Sequence, residues 1–288
     1  VSTYKHDDLP GPYQELTEAF TRITGNPGFQ SYDEATDTAR SGSFMDWAYS
    51  QRGVYTWVPE LWDAASAAGV QRDPDNAVEP LDEAGEAVLL RWNDERLGGQ
   101  GFVNWRPFDH PQLGPVEIGG WTYKFTHQNC PGTYIPALAR AHVDWTYLLA
   151  RALPQLAVER TTVTSRGGDL WTLEVRVVNE GYLPTNLSQQ AIDIGLADGV
   201  TVMVEGAGVE VVAGEASGDL GHLEGYGGRA EPPWRGPTPV RRSATAQFVL
   251  RIPASTDKIR IRAANSKAGA VSRIVDLTTD AADDADVS

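Results

Sequence analysis

Apolar residues recur at helical spacing through much of the first half of the chain and at every second position through much of the second, so the pattern changes character near residue 155. Tyr13 to Thr24 reads as a helix entered after Pro10-Gly11-Pro12, with Leu16, Phe20 and Ile23 near one face and Gly25-Asn26-Pro27 as its stop. Leu81 to Leu97 reads as another, opened by acidic Asp82-Glu83 and ended by Gly98-Gly99, with Val88, Leu89 and Trp92 on one side. Ile135 to Leu153 carries the broadest stripe, including Leu138, Trp145 and Leu149, and Pro154 ends it because proline offers no amide donor. Between the first two, Val54, Thr56 and Val58 alternate toward Glu60 and predict a strand with all four on one face. A carboxylate half-buried against such an apolar wall holds protons more readily and suits general-base work.

After residue 155 the period is two. Leu170 to Val178 sets Trp171, Leu173, Val175 and Val177 against Thr172, Glu174 and Arg176, which predicts a strand with one buried face. Val200 to Glu205, Val209 to Ala213, Ala244 to Ile252, Lys258 to Ala264 and Ser272 to Leu277 read the same way, separated by turns and without helices. Gly214 to Arg242, rich in Gly and Pro, reads as a long excursion rather than a strand. The expected organisation is a mixed domain over 1–155, a β-sandwich over 156–279 and an acidic disordered tail over 280–288.

Composition narrows the function classes. A formal charge of −15 repels phosphate backbones and excludes nucleic acid as a partner. No run approaches the roughly eighteen apolar residues of a membrane span. The lysines are Lys5, Lys124, Lys258 and Lys267, so the basic residues are nearly all arginine; with abundant Asp this suits a high-GC or salt-adapted source, although an acidic surface also simply favours solubility. The single Cys130 excludes an intrachain disulfide and any multi-cysteine metal site. His110, Glu117 and His127 are spaced like no known ligand set, and His110-Pro111 reads as a rigid turn before a strand over Val116 to Ile118. No Gly-x-Ser-x-Gly element supports serine hydrolase chemistry.

The stretch Gly42-Ser43-Phe44-Met45-Asp46-Trp47-Ala48-Tyr49, followed by Val58-Pro59-Glu60-Leu61, resembles the C-terminal half of the catalytic domain of M14-type zinc carboxypeptidases. Trp105-Arg106-Pro107-Phe108-Asp109-His110-Pro111-Gln112-Leu113-Gly114-Pro115-Val116-Glu117-Ile118-Gly119-Gly120-Trp121 resembles a segment of a bacterial and archaeal branch of that family. Trp171 to Leu187 and Ala263 to Gly269 look like the β-sandwich domain commonly appended there. The resemblance implies an α/β fold, a partial carboxypeptidase-like α/β/α domain, followed by an all-β immunoglobulin-like sandwich. It implies zinc as cofactor and peptide or protein as substrate; it leaves the location open while favouring a secreted or cell-surface one.

By the same resemblance Glu60 is the general base, Tyr32 the tyrosine that closes over substrate, and Met45 the floor of the pocket for the substrate's C-terminal residue, suited to apolar or aromatic termini. The family's His-x-x-Glu pair is missing: none of His6, His110, His127, His142 and His222 has a Glu three residues on. His6 lies in a stretch resembling the one that follows the family's third ligand, so no metal ligand is assigned in this chain. The substrate-binding arginines also precede the matching region. The expectation is a C-terminal portion of a larger enzyme, inactive alone, whose partner is the N-terminal part of the catalytic domain with the zinc ligands. The alternative is a non-catalytic peptidase-like module that binds peptide termini or cell-wall material, for which exposed tryptophans such as Trp234 would matter more than Glu60.

Overall fold

A computed structural model describes residues 11–26, 42–70, 81–213, 217–227 and 241–278. The chain mixes helices with antiparallel sheets, and most strands lie in the C-terminal half. Its contacts form two compact units; among the described residues one comprises 17–26, 57–70 and 81–147, the other 11–16, 42–56 and 148–278.

The predicted helices form close to their expected bounds. Helix α1 spans Pro12–Thr24 and buries Leu16 and Phe20. Two helices that periodicity did not announce follow: α2, Phe44–Arg52, and α3, Ala64–Ala68. Helix α4, Glu83–Leu97, starts where the Asp82 carboxylate accepts from the Gly85 amide at 2.7 Å and stops at Gly98, whose φ of 60° only glycine adopts cheaply. Leu89 and Trp92 on its inner face pack with Ala64 against Trp62, Trp121 and Tyr134. Asn93, buried on the same helix, accepts from the Gly101 amide at 2.7 Å, and a side chain at position 101 would collide with that oxygen.

Strands β1 (Phe102–His110) and β2 (Gly114–Trp121) form an antiparallel hairpin with an irregularity between Val103 and Arg106. The His110–Pro111 turn holds as expected: His110 Nδ1 accepts from the Gln112 and Leu113 amides, each at 3.2 Å. A short helix α5 (Tyr123–Thr126) and helix α6 (Ile135–Ala152) complete this part, with Trp145 buried on α6 against Phe20 at 5.0 Å between ring centroids.

The C-terminal half builds two four-stranded antiparallel sheets around one core. Strands β3 (Leu156–Gly167), β4 (Leu170–Asn179), β8 (Ser243–Arg251) and β6 (Glu210–Ala213) lie in the order β3-β4-β8-β6. Strands β10 (Gly269–Asp276), β9 (Lys258–Asn265), β5 (Thr201–Glu205) and β7 (Ser217–Asp219) form the other, ordered β10-β9-β5-β7. Alternate residues of both sheets, among them Leu173, Val175, Phe248, Val202 and Ile261, fill the core. Each such side chain contributes about 1.5–3 kcal/mol by leaving water.

Two expectations for this half are corrected. The excursion from Gly214 to Arg242 is not free of strand, because Ser217–Asp219 pairs with β5. Nor is the half free of helix: Gln189–Asp193 forms α7, capped where Ser188 Oγ accepts from the Ala191 amide at 3.0 Å. The 280–288 tail, Tyr32, His6 and Trp234 lie outside the described residues.

Candidate functional site

Ser43 starts α2 by accepting from the Asp46 amide at 3.1 Å, and Asp46 sits in the first turn, where the helix dipole favours a carboxylate. Met45 on this turn is half-buried. Beside it Phe44 and Trp47 are both exposed, with ring centroids 5.8 Å apart. That aromatic pair escaped the sequence reading, although its three-residue spacing on a helix was the available signal. The helix ends at Gly53, φ 61°, whose amide donates to Tyr49 O at 2.9 Å while the Val54 amide reaches Ala48 O at 3.2 Å.

The strand expected to carry Glu60 does not form. From Val54 to Trp62 the backbone takes no regular secondary structure and joins no ladder. Pro59 removes one donor, and side chains rather than strand neighbours hold the segment. Trp57 Nε1 donates to Thr17 Oγ1 at 3.0 Å, Trp62 Nε1 donates to Thr126 O at 2.7 Å, and Asn26 Nδ2 donates to the Glu60 carbonyl at 3.2 Å. Without a regular pleat the expected shared face is lost. Thr56 is buried, whereas Val58 and Leu61 are each 55 % exposed, and Glu60 is exposed rather than half-buried.

The described histidines do not gather. His127 stacks on Tyr123 at 5.1 Å and stands edge-on to Trp121 at 5.0 Å, with a buried Nε2 that has no hydrogen-bond partner. Burial disfavours its charged form and lowers its pKa below the ordinary histidine value, against the smaller opposing pull of Glu86 and Asp63. His142 lies beside Phe20, 5.8 Å between ring centroids. Among the described residues no group of three or more His, Cys, Asp or Glu side chains is arranged to hold a metal ion. No described helix is long and apolar enough to cross a membrane.

The unit that holds Glu60 leaves large apolar side chains uncovered. Val103, Trp105 and Phe108 of the hairpin, and Ile135, Val143 and Tyr147 of α6, are all exposed. Comparison with known proteins adds a match in the other half: the family model described as Domain of unknown function (DUF8731) matches residues 155–276. No curated protein matches the chain.

Proposed function

We propose that this chain is the C-terminal portion of a zinc-dependent metallocarboxypeptidase that hydrolyses C-terminal peptide bonds, with Glu60 as general base and with zinc ligands outside this chain. The resemblance of the 42–62 and 105–121 segments motivates the reading. The observation that carries it further is the uncovered apolar surface of the unit that bears Glu60. A two-stranded hairpin is marginal in water and needs a further strand or a helix on its face. Where large exposed apolar side chains lie together, they mark a surface that other polypeptide covers. In this reading the rest of a central sheet covers the hairpin and α6, completing an α/β/α domain, and the two four-stranded sheets form an appended immunoglobulin-like sandwich.

Zinc in such an enzyme supplies the polarisation that makes water reactive near neutral pH. This chain supplies the base: Glu60 takes a proton from the attacking water as the C–O bond forms, then gives it to the nitrogen as the C–N bond breaks. Exposure leaves the carboxylate open to the covering surface. Met45 floors the pocket for an apolar terminal side chain, with Phe44 and Trp47 beside it, and Tyr32 closes over the substrate. A second reading, a non-catalytic module that binds peptide termini or cell-wall material, draws on the exposed Phe44–Trp47 pair.

Zinc content and peptide hydrolysis, measured on this chain alone and on the chain joined to the polypeptide that carries the ligands, test the proposal. The chain alone binds no tight stoichiometric zinc and releases no C-terminal residue; the joined protein does both. Tight stoichiometric zinc on the chain alone would contradict the assignment of the ligands. A joined protein that binds peptides without cleaving them would favour the second reading.

A further inference from the structure

Helix α2 is too short, at nine residues, to stand by propensity alone. Its far end is clamped by a turn of the β-rich half. The buried Ser188 hydroxyl donates to the Gly53 carbonyl at 2.6 Å while accepting from the Ala191 amide, so one oxygen ties the end of α2 to the start of α7. Gln190 Nε2 donates to the Ser50 carbonyl at 2.9 Å, meeting one of the carbonyls that a helix end leaves without an internal partner. Contact is close enough to demand glycine at position 53: a Cβ there would lie 2.3 Å from Ala191 Cα. All of these residues belong to one compact unit.

Met45 sits eight residues before Gly53, about 12 Å along the helix axis at roughly 1.5 Å per residue. A tilt of about 10° at the clamp therefore swings the Met45 end by about 2 Å, more than a pocket floor tolerates when misplacements of about 1 Å already cost activity. We infer that Ser188, Gln190 and Ala191 are positioning residues that fix α2 and, through it, the Met45 floor. The bracing follows from the contacts alone; its consequence for specificity rests on the peptidase reading.

Ser188→Ala and Gln190→Met each remove one clamp while keeping side-chain bulk close to the original. Hydrogen exchange on this chain reads the brace directly. Amides of 46–54 exchange at least about tenfold faster in Ser188→Ala, as expected for losing a cap and leaving a buried carbonyl unpaired, while amides of β4 and β9 keep their rates. In the joined enzyme, the ratio of kcat/KM for peptides ending in Phe to those ending in Ala falls about fivefold or more, through KM, in both variants. Met45→Ala lowers the same ratio, and combining it with Ser188→Ala lowers it no further. A purely structural role would reduce both substrates by one factor and leave the ratio unmoved.

Unchanged exchange over 46–54 in both variants overturns the inference whatever becomes of the peptidase reading. An unmoved ratio in variants whose exchange has risen overturns the specificity role. Lack of hydrolysis by the unmodified joined enzyme instead overturns the peptidase reading and the specificity role resting on it, and leaves the brace to be decided by exchange.

Discussion

Asn179, fully buried at the end of β4, holds three chain segments together through one amide group. Its Oδ1 accepts from the Gln155 and Gly181 amides, both at 2.9 Å, and its Nδ2 donates to Leu183 O at 2.8 Å and Glu224 O at 3.2 Å. Replacing it by alanine strands these partners without bringing water to all of them. The Gln155 amide is partly accessible and can hydrate, but the bonds to Gly181 and Leu183 are buried. Two buried polar groups left unpaired cost about 1–3 kcal/mol each, so Asn179→Ala destabilises the β-rich unit by about 2–6 kcal/mol. At about 2–4 °C per kcal/mol for a domain of this size, the unfolding midpoint drops on the order of 10 °C. Urea unfolding of the full chain, followed by far-ultraviolet circular dichroism, measures the loss. Asn179→Asp should fare no better, since it keeps the acceptors but turns an anion toward the Leu183 and Glu224 carbonyls. A change below about 0.5 kcal/mol, the level of an ordinary surface substitution, would refute the bonding scheme.

Trp57→Phe keeps an aromatic ring facing Trp145 but loses the bond to Thr17, and should cost about 1 kcal/mol in the same unfolding measurement. The lowered pKa of His127 makes stability pH-dependent in a defined direction. The unfolded chain takes up the proton first, so the contribution is complete above about pH 6.5, the ordinary value, and is lost as pH falls through the lower folded value. Stability profiles of the native chain and His127→Phe should therefore converge in slope above that pH, with the native chain falling more steeply below it; parallel profiles would remove His127 from the acid response.

The helices over 12–24 and 135–152 were legible from amphipathic spacing, and that over 83–97 chiefly from its end signals at Asp82 and Gly98. Strands β4, β5, β8, β9 and β10 were legible because one face of each packs into a single core, which makes alternation obligatory. Strand β3 was not, since its alternation breaks at the irregularity between Val158 and Arg160. Helix α2 was hidden because Phe44 and Trp47 turn outward, so its apolar residues do not mark a buried stripe; only the Ser43 cap and the Gly53 stop betray it. The alternation from Val54 to Glu60 misled for the opposite reason. It imitates a pleat, while indole hydrogen bonds and Pro59 fix a backbone without a ladder. Of the candidate site, Met45 was visible only through resemblance, while Glu60 was singled out both by resemblance and by an alternation that the structure does not turn into a strand. The clamp on α2 joins Ser188 to Gly53 across 135 positions, a contact between small polar residues that carries no local pattern.

The rate of C-terminal residue release by the joined, zinc-loaded protein, compared between native Glu60 and Glu60→Gln, tests the central claim most directly. Glutamine keeps the shape but cannot take the proton, and loss of a general base costs about 10²–10⁴-fold. The account predicts a fall of that size in kcat with KM nearly unchanged; a Glu60→Gln protein that cleaves at the native rate would contradict it.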